Sequence, residues 1–123
     1  MVVLNIGCHT IAPSSPRSSD LMAAALSASP ALPIYACGFV DSKFEALRAG
    51  QVAGPTNQND AQGGGHAFWF SKYRTNNSGR REFFLENSWG EGWCDGGGCW
   101  VSEEFVHQSV WTMYVLDVSR RHS

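Results

Sequence analysis

The run His66-Ala67-Phe68-Trp69-Phe70-Ser71-Lys72-Tyr73 and the run Arg81-Glu82-Phe83-Phe84-Leu85-Glu86-Asn87 decide the fold, and the polar segment 74–80 separates them. Both runs are rich in aromatic residues, which favour strands. The separating segment contains Asn, Ser and Gly, which favour turns. The pattern therefore predicts an antiparallel β-hairpin.

The predicted hairpin brings a histidine and an asparagine together. If the chain turns at Asn76-Asn77, His66 lies directly opposite Asn87. Opposed residues have Cβ atoms about 4.5–5.5 Å apart, close enough for an imidazole and a carboxamide to share a hydrogen bond. The same register predicts an apolar set on the face of this pair (Phe68, Phe70, Phe83 and Leu85) and a polar set on the other (Ser71, Glu82 and Glu86).

A histidine held by an amide is oriented for proton transfer. One ring nitrogen donates to the amide oxygen, and the other is left to accept a proton from a nucleophile. With a cysteine as nucleophile, the imidazole would also stabilise the thiolate. Trp89, two residues after Asn87, could shield the hydrogen bond from water.

Two motifs around this pair resemble those of the papain-like cysteine peptidases: Gly64-Gly65-His66-Ala67-Phe68, and 84–93 with Asn87-Ser88-Trp89-Gly90. The resemblance implies that His66 is the catalytic base and Asn87 the residue that orients it. It also implies that Trp89 covers the pair, with Gly65, Ser88 and Gly90 supporting the site. The substrate would be a peptide or a protein.

The resemblance extends from about Asp20 to about Val118 and implies an α+β, mainly β, fold. The expected architecture is the right-hand, antiparallel β-barrel-like domain of a papain-like fold, with one or two short helices. We expect a single domain over 1–123, with an N-terminal strand and loop over 1–17 and a polar tail over 119–123.

Local patterns predict the remaining elements. Ser19-Asp20 begins a short helix that Pro30 ends, and Ser42 and Glu45 form a capping box for one or two helical turns. Strand 32–40 is apolar at both alternating sets of positions, which predicts burial of both its faces. Further strands are predicted at 2–6, 99–102 and 110–118, and Glu103-Glu104-Phe105 is predicted to be a turn.

The nucleophile is not recognisable in this sequence. The papain-like motif Gln-x-x-x-Cys-Gly-x-Cys-Trp, which supplies the nucleophile and the oxyanion-hole glutamine, is missing. Cys8 and Cys37 remain candidates, although a cysteine inside a strand more often packs as a small hydrophobic residue.

Cys94 and Cys99 flank Asp95-Gly96-Gly97-Gly98 and could form a local disulfide or remain free. A zinc site with His66 or His107 is a further alternative, but a lone pair of cysteines four residues apart does little to favour metal. We therefore expect no metal and no cofactor.

Composition excludes other classes of function. The 123 residues carry a net charge of −2 and no basic run longer than two residues, so we expect no binding to nucleic acid. No stretch approaches the roughly 18 apolar residues of a membrane span, and the first residues do not form a secretory signal, so localisation stays open. Three functions remain: a peptidase half, an inactive papain-like module whose exposed cleft wall binds a protein partner, and, as the weakest of the three, a small zinc-binding protein.

Overall fold

The computed structural model describes the backbone of residues 2–122 and the side chains of residues 7–117. None of the helices in this range is long and apolar enough to cross a membrane. In chain order the elements are β1 (Val2–Ile11), α1 (Ser18–Leu26), β2 (Ile34–Val40), α2 (Ser42–Glu45), β3 (Val52–Ala53), β4 (Gly64–Thr75), β5 (Arg81–Glu86), β6 (Gly98–Ser102), α3 (Glu103–Ser109) and β7 (Val110–His122).

Across residues 2–122 the strands form one seven-stranded sheet in the order β1-β7-β2-β4-β5-β6-β3. All neighbouring strands are antiparallel except β3 and β6, which run parallel over two residues. The α+β, mainly β, fold class is confirmed. The β4–β5 hairpin lies inside the sheet, so both of its strands are held by neighbours on either side.

The helices pack on one face of the sheet and bury it. Phe68, Phe70, Phe83 and Leu85 all belong to this core, as the predicted apolar face requires. The predicted burial of both faces of β2 is wrong. Its residues alternate between buried and exposed, with Ile34 and Ala36 in the core and Tyr35 and Cys37 exposed on the opposite, outer face.

The predicted register of the hairpin is also wrong. A turn at Asn76-Asn77 would pair Thr75 with Ser78, but Thr75 pairs with Arg81. The Asn76 carboxamide oxygen accepts hydrogen bonds from the N–H groups of Ser78 and Arg80, which widens the turn. A shift of register between Phe70 and Lys72 then reduces the offset from the predicted pairing by one residue.

Asp41 caps α2, so the predicted capping box is wrong. The Asp41 carboxylate accepts a hydrogen bond from Phe44 N–H at 2.9 Å. The hydroxyl and N–H of Ser42 both donate to Asp60, and these bonds lower the pKa of the Asp60 carboxyl. Gly50 has a positive φ and lies five residues beyond the end of this helix, too far to serve as its C-terminal cap.

Three predicted boundaries change. The predicted turn at 103–105 is the start of helix α3, because Ser102 caps Phe105 N–H and the helix buries Phe105, Val106 and Ser109. The N-terminal strand continues to Ile11 rather than ending at residue 6. The predicted polar tail is largely strand, since β7 continues to His122 in register with β1, and Ser123 lies outside the described residues.

A glycine on β2 allows α3 and β7 to pack closely. A Cβ at Gly38 would lie 2.5 Å from the backbone oxygen of Ser109. We expect Gly38→Ala to lower the free energy of unfolding by about 1–3 kcal/mol, because backbone must move to accept the methyl group. Urea denaturation measures the change. Gly64→Ala is the matched control, because a Cβ at Gly64 meets no atom within 4 Å. Equal losses in the two variants would contradict the expectation.

Candidate active site

His66 and Asn87 are joined side chain to side chain, although they are not opposed in the ladder. His66 Nε2 lies 2.5 Å from Asn87 Oδ1. The β4–β5 ladder ends at the pair Trp69–Glu86, so Asn87 lies just beyond it and reaches the ring with its side chain. The predicted hydrogen bond between these two residues is therefore present, although the register of the strands differs from the predicted one.

A second hydrogen bond fixes which nitrogen of His66 is free. Ser88 N–H donates to Asn87 Oδ1 at 2.9 Å, so this atom is the carbonyl oxygen of the amide. An oxygen can only accept, so His66 Nε2 carries the proton that it donates. His66 Nδ1 is then the lone-pair nitrogen. No second hydrogen bond to this ring occurs among the described side chains.

The backbone around Asn87 holds the amide in place. Asn87 N–H donates to Gly97 O at 3.0 Å, which ties the end of β5 to the loop before β6. The Asn87 side chain is buried, with 8% of the residue exposed. Its Nδ2 atom has no partner within the described part of the chain, and such a group lowers stability unless a further acceptor reaches it.

Aromatic rings cover the His66–Asn87 pair. The Trp89 ring lies over the His66 ring with centroids 4.7 Å apart. Trp93 and Phe44 pack against Trp89 with centroids at 5.0 and 5.9 Å. Trp93 Nε1–H donates to Glu45 O at 3.0 Å, which anchors this group to α2. The rings exclude water from one side of the hydrogen bond and so strengthen it.

Phe44 and Trp93 support the site from positions to which sequence reasoning assigned no role there. Phe44 is an apolar residue within the otherwise polar run 41–45, which is the signal that could have found it. Two glycines of the motifs occupy constrained positions. A Cβ at Gly65 would lie 2.9 Å from the Trp111 ring, and Gly90, with φ +94°, accepts a hydrogen bond from Trp93 N–H.

Comparison with solved structures identifies the fold. Bromelain from Ananas comosus, solved with the E64 inhibitor, aligns with a TM-score of 0.60 at 19% identity over 89% of this chain and 49% of its own. Procathepsin L2 from the larval midgut of Tenebrio molitor aligns with a TM-score of 0.60 at 21% identity, over 87% of this chain and 32% of its own. Xylellain, a cysteine protease from Xylella fastidiosa, aligns with a TM-score of 0.56 at 22% identity, over 76% of this chain and 34% of its own.

The chain has the right-hand fold of the papain-like cysteine proteases. The chain spans from about a third to a half of the length of these structures and corresponds to their C-terminal half. No protein-family model matches the sequence, and no curated protein matches it.

The fold places the two candidate nucleophiles, Cys8 and Cys37, away from His66. Cys37 pairs with Ala67, whereas His66 pairs with Gly38, so the Cys37 side chain is on the opposite face of the sheet from the imidazole. Cys8 pairs with Leu116 on the outer face, on a strand three positions from β4. Both thiols are exposed, and neither is placed to transfer a proton to His66.

Cys94 and Cys99 are both free thiols in this structure, which is one of the alternatives that the sequence left open. Burial raises the pKa of the Cys99 thiol, and the Cys94 thiol beside it raises it further. Partial burial also raises the pKa of Cys94. Neither is poised as a thiolate. No cluster of three or more metal-ligating side chains occurs within the described residues.

Removal of the amide should release the His66 ring. In Asn87→Ala we expect the ring to lose its fixed tautomer, because Nε2–H no longer has its acceptor. Nitrogen-15 NMR of the ring at about pH 8 checks this: the parent protein should show a protonated Nε2 and a lone-pair Nδ1, and the variant a mixture of tautomers. Ser88→Ala is the control, because it retains the backbone N–H that contacts Asn87. Identical spectra for parent and Asn87→Ala would contradict the assigned hydrogen bond.

Proposed function

We propose that this chain is the base-bearing half of a papain-like cysteine peptidase. His66 is the general base and Asn87 orients it, and the nucleophilic cysteine belongs to a segment or chain outside this sequence. The observation that carries the proposal is the 2.5 Å contact of His66 Nε2 with Asn87 Oδ1 under the Trp89 ring, which leaves Nδ1 as the proton acceptor.

The proposed reaction is hydrolysis of a peptide bond through a thioester. His66 Nδ1 takes the thiol proton, and the thiolate attacks the peptide carbonyl carbon. The imidazolium then gives its proton to the leaving amine as the C–N bond breaks. In the second half, His66 takes a proton from water, the hydroxide attacks the thioester, and the thiol is regenerated. Asn87 Oδ1 accepts from Nε2–H throughout and stabilises the imidazolium.

The remaining groups of the reaction must come from elsewhere. This chain has no glutamine placed before a cysteine that could stabilise the oxyanion, so the half that brings the nucleophile must also bring that donor. A peptide or protein substrate would then bind between the two halves. The comparison structures, which are about two to three times as long as the parts that this chain matches, are consistent with a second half.

A chimera tests the proposal. The N-terminal half of bromelain is joined to this whole chain, and peptide hydrolysis and modification by E64 are measured on the folded, monodisperse product. We expect both activities in the parent chimera and neither in His66→Ala. A folded chimera that does not differ from its His66→Ala variant would contradict a catalytic role.

The outer face of the sheet favours a second candidate, a non-catalytic papain-like module that binds a protein partner. Tyr35, Trp111, Tyr114 and Leu116 are between 37 and 51% exposed, and Tyr35 stacks on Tyr114 with centroids 5.7 Å apart. Exposed apolar patches of this kind mark contact surfaces. This candidate is the one supported if a folded chimera lacks activity, because binding through the outer face does not use His66.

A further inference from the structure

We propose that Cys94 and Cys99 form a reversible thiol–disulfide pair that locks the loop holding Asn87. The pair does not involve the nucleophile of the proposed peptidase, so the proposal stands or falls independently of peptidase activity. Neither thiol takes part in the proposed reaction.

The backbone between the two cysteines forms a tight turn that brings its flanking residues near each other. Asp95 and Gly98 exchange two hydrogen bonds, Asp95 N–H to Gly98 O at 2.9 Å and Gly98 N–H to Asp95 O at 3.3 Å. Gly96 and Gly97 between them have φ of +66° and +100°, as a tight two-residue hairpin turn requires. This small hairpin is called the cysteine hairpin below.

Cys94 and Cys99 directly flank the Asp95–Gly98 pair of the cysteine hairpin. Cys94 has a φ of +49°, so its backbone departs from an extended strand. In an extended antiparallel ladder, the two positions that flank such a hydrogen-bonded pair would have Cα atoms about 4.5 Å apart. That separation falls within the range of about 4.4–6.8 Å seen in disulfides. The two thiols lie near each other, since the Cys94 thiol contributes to the raised pKa of Cys99. Formation of the bond therefore requires an adjustment at Cys94 and leaves the Asp95–Gly98 turn in place.

The cysteine hairpin is joined to the candidate site. Gly97 O accepts the hydrogen bond from Asn87 N–H, and Gly90 O accepts one from Trp93 N–H. Trp93 in turn packs on Trp89 above the His66 ring. A covalent closure between Cys94 and Cys99 would therefore restrain the segment that supplies both the orienting amide and its aromatic cover.

The oxidant is a low-molecular-weight disulfide such as oxidised glutathione. Cys94, which is partly exposed, loses its proton and attacks one sulfur, releasing one glutathione thiolate and forming a mixed disulfide. Cys99 then loses its proton and attacks the Cys94 sulfur, releasing the second glutathione. The protein loses two hydrogens and two electrons, and the glutathione disulfide becomes two thiols. Because burial raises the pKa of both cysteines, the exchange should be faster at pH 8.5 than at pH 7.

The test treats the intact reduced chain with oxidised glutathione and maps the products by mass spectrometry. We expect an intramolecular 94–99 disulfide, reversed by dithiothreitol, while the exposed Cys8 and Cys37 form mixed disulfides with glutathione. Hydrogen exchange of the Asn87 amide should slow by on the order of tenfold in the oxidised form. Cys94 and Cys99 left as thiols, or a stable mixed disulfide at Cys94, would overturn the pair. Unchanged exchange at Asn87 would overturn the lock.

Two single variants separate the roles. In Cys99→Ala, Cys94 should accumulate as the mixed disulfide because no second thiol resolves it. In Cys94→Ser, which leaves the buried position intact, Cys99 should remain unmodified. Rapid glutathionylation of Cys99 in that variant would contradict the order of attack, and with it the proposed pair.

Discussion

Replacement of His66 by alanine is expected to lower peptide hydrolysis by the bromelain chimera by a factor on the order of 10²–10⁴. This is the range that a positioned general base contributes. The loss should appear mainly in kcat, because the imidazole acts on the thiol proton and not on substrate binding. Steady-state kinetics with a fluorogenic peptide measure it.

The matched control for that prediction is His9→Ala. His9 is exposed, and its strand β1 is three positions from β4 in the sheet, so its loss should leave kcat unchanged. Circular dichroism and thermal melting establish that each variant is folded. If His66→Ala and His9→Ala have the same kcat, His66 is not the base.

Replacement of Phe44 by alanine is expected to lower the free energy of unfolding by about 3–5 kcal/mol, the usual range for a buried phenylalanine. Phe44 is 2% exposed. Its ring packs on Phe105 and Trp93 with centroids 5.8 and 5.3 Å away, and its edge meets Trp89. The side chain thus joins α2, α3 and the Trp89 loop. Urea denaturation measures the loss.

Phe39→Ala is the control for Phe44→Ala, because Phe39 is half-buried and its ring contacts Trp111 with centroids 6.3 Å apart. We expect a clearly smaller loss of stability, since less apolar surface returns to water. An equal loss of unfolding free energy in Phe39→Ala and Phe44→Ala would contradict the expectation that the Phe44 ring stabilises the fold more than the Phe39 ring does.

The site could be read from the sequence because it depends on short motifs. His66 and Asn87 stand at opposite ends of two aromatic runs, so any antiparallel pairing of those runs brings them near each other. The detailed register could not be read in this way. The Asn76 side chain widens the turn, and the offset after Phe70 depends on packing that no local pattern encodes.

The prediction that both faces of β2 are buried is wrong for a physical reason. Tyr35, Cys37 and Phe39 are apolar, and apolar residues at both sets of positions usually mean that both faces are covered. In this structure one of those faces is open, so the pattern indicates an apolar face without indicating what covers it. The sequence of α3 did contain a usable signal, because Ser102 precedes two glutamates and the buried Phe105 and Val106.

The positions of the cysteines in the fold could not be predicted from local sequence patterns. Whether Cys37 faces His66 depends on the register between β2 and β4, which only the folded sheet defines. The closeness of Cys94 and Cys99 follows from the glycine turn between them, and that part was visible as a candidate disulfide.

Alkylation of the four cysteines by iodoacetamide at about pH 6, mapped by mass spectrometry, tests the central claim that this chain holds a base and its orienting amide but no nucleophile. At this pH an ordinary thiol is almost fully protonated and nearly unreactive. We expect all four cysteines to react no faster than free cysteine, and His66→Ala to leave their rates unchanged. A single fast cysteine that slows in His66→Ala would show that the chain carries its own activated thiol, and would contradict the claim.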